Sequence, residues 1–196
     1  MKIREKVLGG FLVSLLDISA GVFLSIVTAK FLGLKISLCA VSFGIISSLW
    51  LDLDALSLLK KGAGKWTHEH RNLFHFPLVV LPVAFIACYV LSNGYYATVV
   101  LLATFFHLVH DSIGIGWGVK WLYPFSHKNY KFFGLKFKER RIVSSWTKEE
   151  QRRDATLNGD DNWLRNLYLR PSVVLFVEIG LSLFLLISSM FVVMAL

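Results

Sequence analysis

From Val7 to Ala29 the chain carries one charged residue, Asp17, and from Ser172 to Leu196 again only one, Glu178. A bilayer span needs roughly 17–25 apolar residues. No water reaches the bilayer core, so the backbone N–H and C=O groups of such runs must satisfy one another along a helix. Three further apolar stretches lie between these two. Together they give five candidate spans, about 7–31, 36–51, 76–91, 96–114 and 172–196. The first, fourth and fifth have the length to cross; the second and third are short and are expected to continue as helix past their apolar limits. The fold class that follows is all-α, a polytopic integral membrane protein with residues 1–196 as a single membrane domain. Composition agrees, since 55% of residues are hydrophobic and 17% charged, against about half and a quarter in soluble domains. The basic, then apolar N-terminus has the outline of a signal peptide, but Asp17 interrupts the run, so an uncleaved first helix is expected.

Charge placement orients these spans. With a cytoplasmic N-terminus, only Lys30 and Lys35 of the 21 Lys and Arg fall outside, as the positive-inside bias requires. The C-terminus then ends outside, and the expected location is the plasma (inner) membrane. More than half of the basic residues lie in 119–170, between the fourth and fifth spans. This region reads as a cytoplasmic polar hairpin or subdomain with a basic first half, a helical stretch at TKEEQRRDA and a turn at NGDDN. Its Trp146, Trp163 and Tyr168 suit a membrane–water interface. Arg170 and Pro171 mark the entry to the last helix, since Pro is tolerated in a first turn. The net charge of +8 follows topology rather than any DNA-binding motif, so membrane lipids are the expected partners and nucleic acid is not. Cys39 and Cys88 sit in separate apolar runs and imply no redox role. Oligomeric state is not readable.

With that orientation, the second span delivers Asp52 and Asp54 to the inner face. The next loop carries His68, His70, Arg71 and His75, and the fourth span returns with His107 and Asp111, four apart and so on one helix face. Mixed Asp and His ligands suit zinc or manganese better than calcium or magnesium, which favour oxygen shells. Asp17 and Glu178 are intramembrane acids, which cost several kcal/mol unless paired or hydrated. Each residue alone has a plain structural reading: Asp52 and Asp54 as a solvated helix end, His68 as surface, His110 as packing, Asp17 and Glu178 as interhelical hydrogen bonds. The metal reading rests on convergence, because three separate segments bring Asp or His to one face.

The ordered set Asp52-Leu53-Asp54, His70-Arg71-Asn72-Leu73-Phe74-His75, His107-Leu108-Val109-His110-Asp111 and Tyr123-Pro124-Phe125-Ser126 resembles the YdjM-like inner-membrane family of metal-dependent hydrolases, also described as LexA-binding. Two departures stand out: Leu51 where the family has Pro, and Asp17 where it tends to have a first-span His. The resemblance implies a divalent metal held by His70, His75, His107, Asp111 and one or both of Asp52 and Asp54, with Asp17 as a further ligand. It implies hydrolysis, with Asp54 and Arg71 in catalytic roles and Arg71 holding a phosphate or carboxylate oxygen. A site at the bilayer edge favours a lipid or lipid-linked phosphoester. Enzymatic status stays open at this point, with a non-catalytic metal-binding or transport protein as the alternative. A regulatory protein acting through 119–170, and a metal-free lipid phosphatase, are weaker readings; the second lacks its S-G-H motif here.

Overall fold

The computed structural model describes residues 3–53, 71, 74–113, 116–137, 139–160 and 162–195. Among these the chain is mostly helical: α1 (Ile3–Phe31), α2 (Leu38–Leu49), α3 (Pro77–Leu91), α4 (Gly94–Ile113), β1 (Asn129–Lys136), β2 (Glu139–Trp146), α5 (Lys148–Asn158), α6 (Trp163–Tyr168) and α7 (Val173–Met194). Three of them, α1, α4 and α7, are long and apolar enough to cross a membrane. At 1.5 Å per residue, α2 and α3 rise only about 18 and 22 Å, short of a hydrocarbon core of about 30 Å. Two compact units are formed, Met1–Trp50 with Ala84–Phe106 and Trp163–Leu196, and Leu51–Val83 with His107–Asn162.

The first unit is built inside-out relative to a soluble bundle. The buried residues of α7 are Glu178, Ser182 and Ser189, whereas Phe176, Leu183, Phe184, Ile187 and Phe191 are exposed. Apolar side chains outward and small or polar ones inward is the arrangement hydrocarbon solvent selects, since lipid gives no drive to bury Leu or Phe. On α1 the buried set is likewise rich in small residues, with Gly21 and Ser25 facing α2. A Cβ added at Gly44 would stand 2.3 Å from the Gly21 carbonyl oxygen, and one at Gly21 would stand 2.4 Å from that of Gly44. These glycines let two backbones touch. At the far end of α1, the Tyr95 hydroxyl donates to the Ser25 carbonyl at 3.1 Å. α1 and α7 run parallel, as Lys30 Nζ donates to the Ala195 carbonyl at 3.3 Å and Gly9 packs on Leu164, which precedes α7. Ser172 caps α7 by accepting from Leu175 N–H, so Pro171 lies just before the helix rather than in its first turn.

The second unit corrects the all-α expectation. Residues Asn129–Lys136 and Glu139–Trp146 pair as an antiparallel hairpin, Asn129 opposite Trp146 through Lys136 opposite Glu139. The basic residues spread along NYKFFGLK and ERRIVSSW mask an aromatic and β-branched content that suits paired strands. Val119 and Tyr130 exchange both backbone hydrogen bonds, at 3.0 and 2.8 Å. That contact needs glycine at 118, where φ is +75° and a Cβ would meet the Tyr130 carbonyl oxygen at 2.1 Å. α5 opens with a capping box between Thr147 and Glu150, and the Thr147 N–H holds the Glu150 carboxyl below its usual range. Asp154 pins α5 to the hairpin by accepting from Trp146 Nε1 at 2.8 Å, Phe137 N–H at 3.3 Å and Asn158 Nδ2 at 2.5 Å. On β1, Lys131 Nζ donates to the Gly116 carbonyl at 2.7 Å. Burial, reinforced by the charge of Arg71 and opposed by Asp154, pushes its amine down to about 8.

Gly44→Leu is expected to force α1 and α2 apart, at a cost on the order of 2–3 kcal/mol. A lowered unfolding midpoint in mild detergent would show it, and Gly10→Leu, whose added carbon meets nothing within 4 Å, serves as the neutral control. Lys131 sets a pH dependence. Between about 8 and its ordinary 10.5 the unfolded chain binds the proton and the folded one does not, so stability rises with pH across that window. The rise in melting temperature from pH 8 to pH 10 should be smaller in Lys131→Met than in the wild type.

Candidate metal centre

The end of α2 is held by its own neighbours. Trp50 Nε1 donates to Thr104 Oγ1 at 2.9 Å, and that hydroxyl donates to the Ser47 carbonyl at 3.3 Å. Two residues on, in a 3-10 turn, stands Asp52. His75 lies at the entrance of α3, one residue ahead of Phe76, whose ring stacks on Tyr123 at 4.4 Å. The Tyr-Pro-Phe segment therefore clamps the chain next to His75, and Lys120 lies over the same Phe76 ring. His107 and Asp111 come from the last two turns of α4. Just beyond Asp111, Ser112 bonds back to the Leu108 carbonyl and accepts from Trp121 Nε1, both at 2.7 Å.

One ligand atom each from Asp52, His75 and His107 lies within 4.8 Å of the others. His75 Nε2 is 3.2 Å from Asp111 Oδ2, His107 Nε2 is 3.7 Å from that same oxygen, and His107 Nε2 is 3.6 Å from Asp52 Oδ1. The two longer separations exceed a good hydrogen bond. They are close instead to the edges of a coordination shell, about 3.4 Å for four ligands at the usual distances of about 2.1 Å. The residues present thus fit a divalent ion, in both spacing and donor type. Both imidazoles are fully buried, while the Asp52 side chain is 34% exposed, so the cluster opens along the Asp52 edge.

Asp111 faces two ways. Its Oδ1 accepts from Arg71 Nη2 at 2.5 Å and its carbonyl accepts from Arg71 Nη1 at 3.0 Å, a fork that aligns the guanidinium. Gly116, with φ +115°, lies against the same guanidinium; a Cβ there would stand 2.5 Å from Nη1.

A family model described as YdjM inner membrane protein matches residues 15–193. The chain belongs to the YdjM inner membrane protein family. No curated protein and no solved structure matches it. The family and the apolar helices together make this YdjM member a membrane protein.

Of the residues singled out in sequence, Asp52, His75, His107 and Asp111 come together, with Arg71 on Asp111. Asp54, His68 and His70 lie outside the described residues. Asp17 is buried on α1 and Glu178 on α7, where Glu178 Oε1 accepts from the Tyr168 hydroxyl at 3.0 Å. The three-residue ligand group is Asp52, His75 and His107; Asp111 stands against its two imidazoles, and Asp17, Glu178 and His110 lie outside it. Sequence reasoning missed the Arg71–Asp111 fork, Gly116 and Lys131. For the last two no local pattern signals a role, because their partners lie 15 and 45 residues away in the chain.

Metal analysis of the purified protein after zinc or manganese loading checks the cluster. His107→Ala and Asp52→Ala are expected to lower bound metal at least tenfold, since each removes one of few ligands; unchanged stoichiometry in both would sink the site.

Proposed function

We propose that this YdjM member is a membrane-bound metal-dependent hydrolase acting on a phosphoester of a lipid or lipid-linked substrate at the cytoplasmic face. The observation that carries the reading is the set of 3.2–3.7 Å separations among His75, His107, Asp111 and Asp52, beside an arginine already aligned by Asp111. Those four residues would hold the ion, with zinc or manganese fitting the mixed nitrogen and oxygen donors. Asp54 and His70 remain candidate members from the family pattern, and Asp17 a candidate further ligand. Once bound, a divalent ion supplies Lewis acidity that makes water nucleophilic near neutral pH.

The residues themselves do the rest. The half-exposed Asp52 edge admits substrate, and the buried histidines keep their nitrogens aimed at one point. Arg71 offers fixed donors to the charge that develops on a phosphoryl oxygen, and preorganised donors of this kind are effective because they need no reorientation. The inward-facing orientation rests on the Lys and Arg distribution; the parallel course of α1 and α7 puts the starts of both helices on one side. The two short helices, α2 and α3, would complete a five-span arrangement.

Hydrolysis of phosphatidic acid in mixed micelles, measured as phosphate release with and without added zinc or manganese, tests the reading. Arg71→Lys should retain metal yet lose roughly 100-fold or more in kcat. Metal flux in proteoliposomes with no phosphate release from any phosphoester tried would replace the hydrolase by a transporter.

A further inference from the structure

Lys131 is an unusual lysine. Its amine lies against the Gly116 carbonyl, and among the described residues no carboxylate oxygen stands within 4.0 Å of it. The acid whose field reaches it, Asp154, already accepts from three donors in Trp146, Phe137 and Asn158. An ammonium has three N–H donors, and among the described residues one of them is used. Gly116 joins this amine to the arginine beside the metal centre: its carbonyl accepts a hydrogen bond from Lys131, and the Arg71 guanidinium fills the space a Cβ would take. Two cations are thus held side by side in a poorly hydrated place, where like charges repel and each loses solvation.

Charge bookkeeping gives that cost a purpose. Among the described residues the centre brings two carboxylates, Asp52 and Asp111, beside two cations, Arg71 and Lys131, with Asp154 acting on the lysine and the imidazoles neutral as metal ligands must be. Adding a dication leaves a positive excess uncompensated. A phosphate group is the chemistry that answers this, since it offers up to two negative charges and several acceptor oxygens for Arg and Lys donors. A neutral carboxylic ester would leave the excess standing.

Resting on the hydrolase reading above, we propose that Lys131 and Arg71 form a phosphate-binding pair flanking the metal centre, with Gly116 as the spacer that sets their separation. Lys131 is then the residue that makes the site select phosphoesters over carboxylic esters. The hairpin gains a role as well, because β1 is what carries this amine to the site and α5, through Asp154, is what holds the hairpin in shape.

Titration of inorganic phosphate into the full-length, zinc-loaded protein in detergent, followed by calorimetry, tests the pair. Lys131→Met should weaken phosphate binding by roughly ten- to a hundredfold, the range for a charge-assisted hydrogen bond, while zinc stoichiometry stays at the wild-type value. Lys131→Arg should restore most of the affinity, which a merely structural role for the methylene stem would not require, since Met would serve it equally. Equal phosphate affinity in Lys131→Met and wild type overturns the proposal. Should the wild type bind no zinc, the metal reading falls; the same comparison in metal-free protein still decides the pair, a difference upholding it and equality overturning it.

Discussion

Asp111 is where the second unit's electrostatics meet. One oxygen holds Arg71 and the other stands within 3.2 and 3.7 Å of two buried imidazoles. A carboxylate in such surroundings is costly without compensation, and a cation on each side supplies it: the guanidinium on one, the proposed ion on the other. The geometry of everything nearby serves this arrangement. One turn of α4 sets His107 below Asp111, and the stacking of Tyr123 on Phe76 sets His75.

The first unit obeys a different solvent. Its helices turn glycines and serines inward and phenylalanines outward, and the contact between α1 and α2 is backbone against backbone at Gly21 and Gly44. Polar groups inside it are tied locally: Tyr168 to Glu178, Ser182 to the Glu178 carbonyl, Ser25 to that of Val22. Such tying is what keeps intramembrane polar atoms from leaving their hydrogen-bonding capacity unused. Glu178 thus has a structural partner, close to the plain reading that its position in an apolar run allows.

Legibility in the sequence followed the range of the physics involved. Long charge-free runs are a local property, so α1, α4 and α7 could be read directly, and the i,i+4 pairing of His107 with Asp111 follows from helix geometry alone. The strand character of the polar hairpin was hidden because basic residues are spread along both strands, and Ile142, Ser144 and Trp146 share one face of β2 that is buried only at its Ser144 and Trp146 end. The Tyr-Pro-Phe segment was visible as a motif but without a mechanism; the ring stacked on Phe76 supplies one.

What the sequence by itself determined is the solvent and the donors: a membrane chain, because no other environment accepts those runs, and a supply of Asp and His at span ends. Tertiary structure decided which of those donors share a point, that Arg71 is tied to Asp111 rather than standing alone, and that a lysine from a β-strand lies beside it. The reason is distance along the chain. Hydropathy and helical periodicity act over neighbours, whereas the 3.2–3.7 Å separations among Asp52, His75, His107 and Asp111 are made by segments far apart in the chain, and nothing local in the sequence reports them.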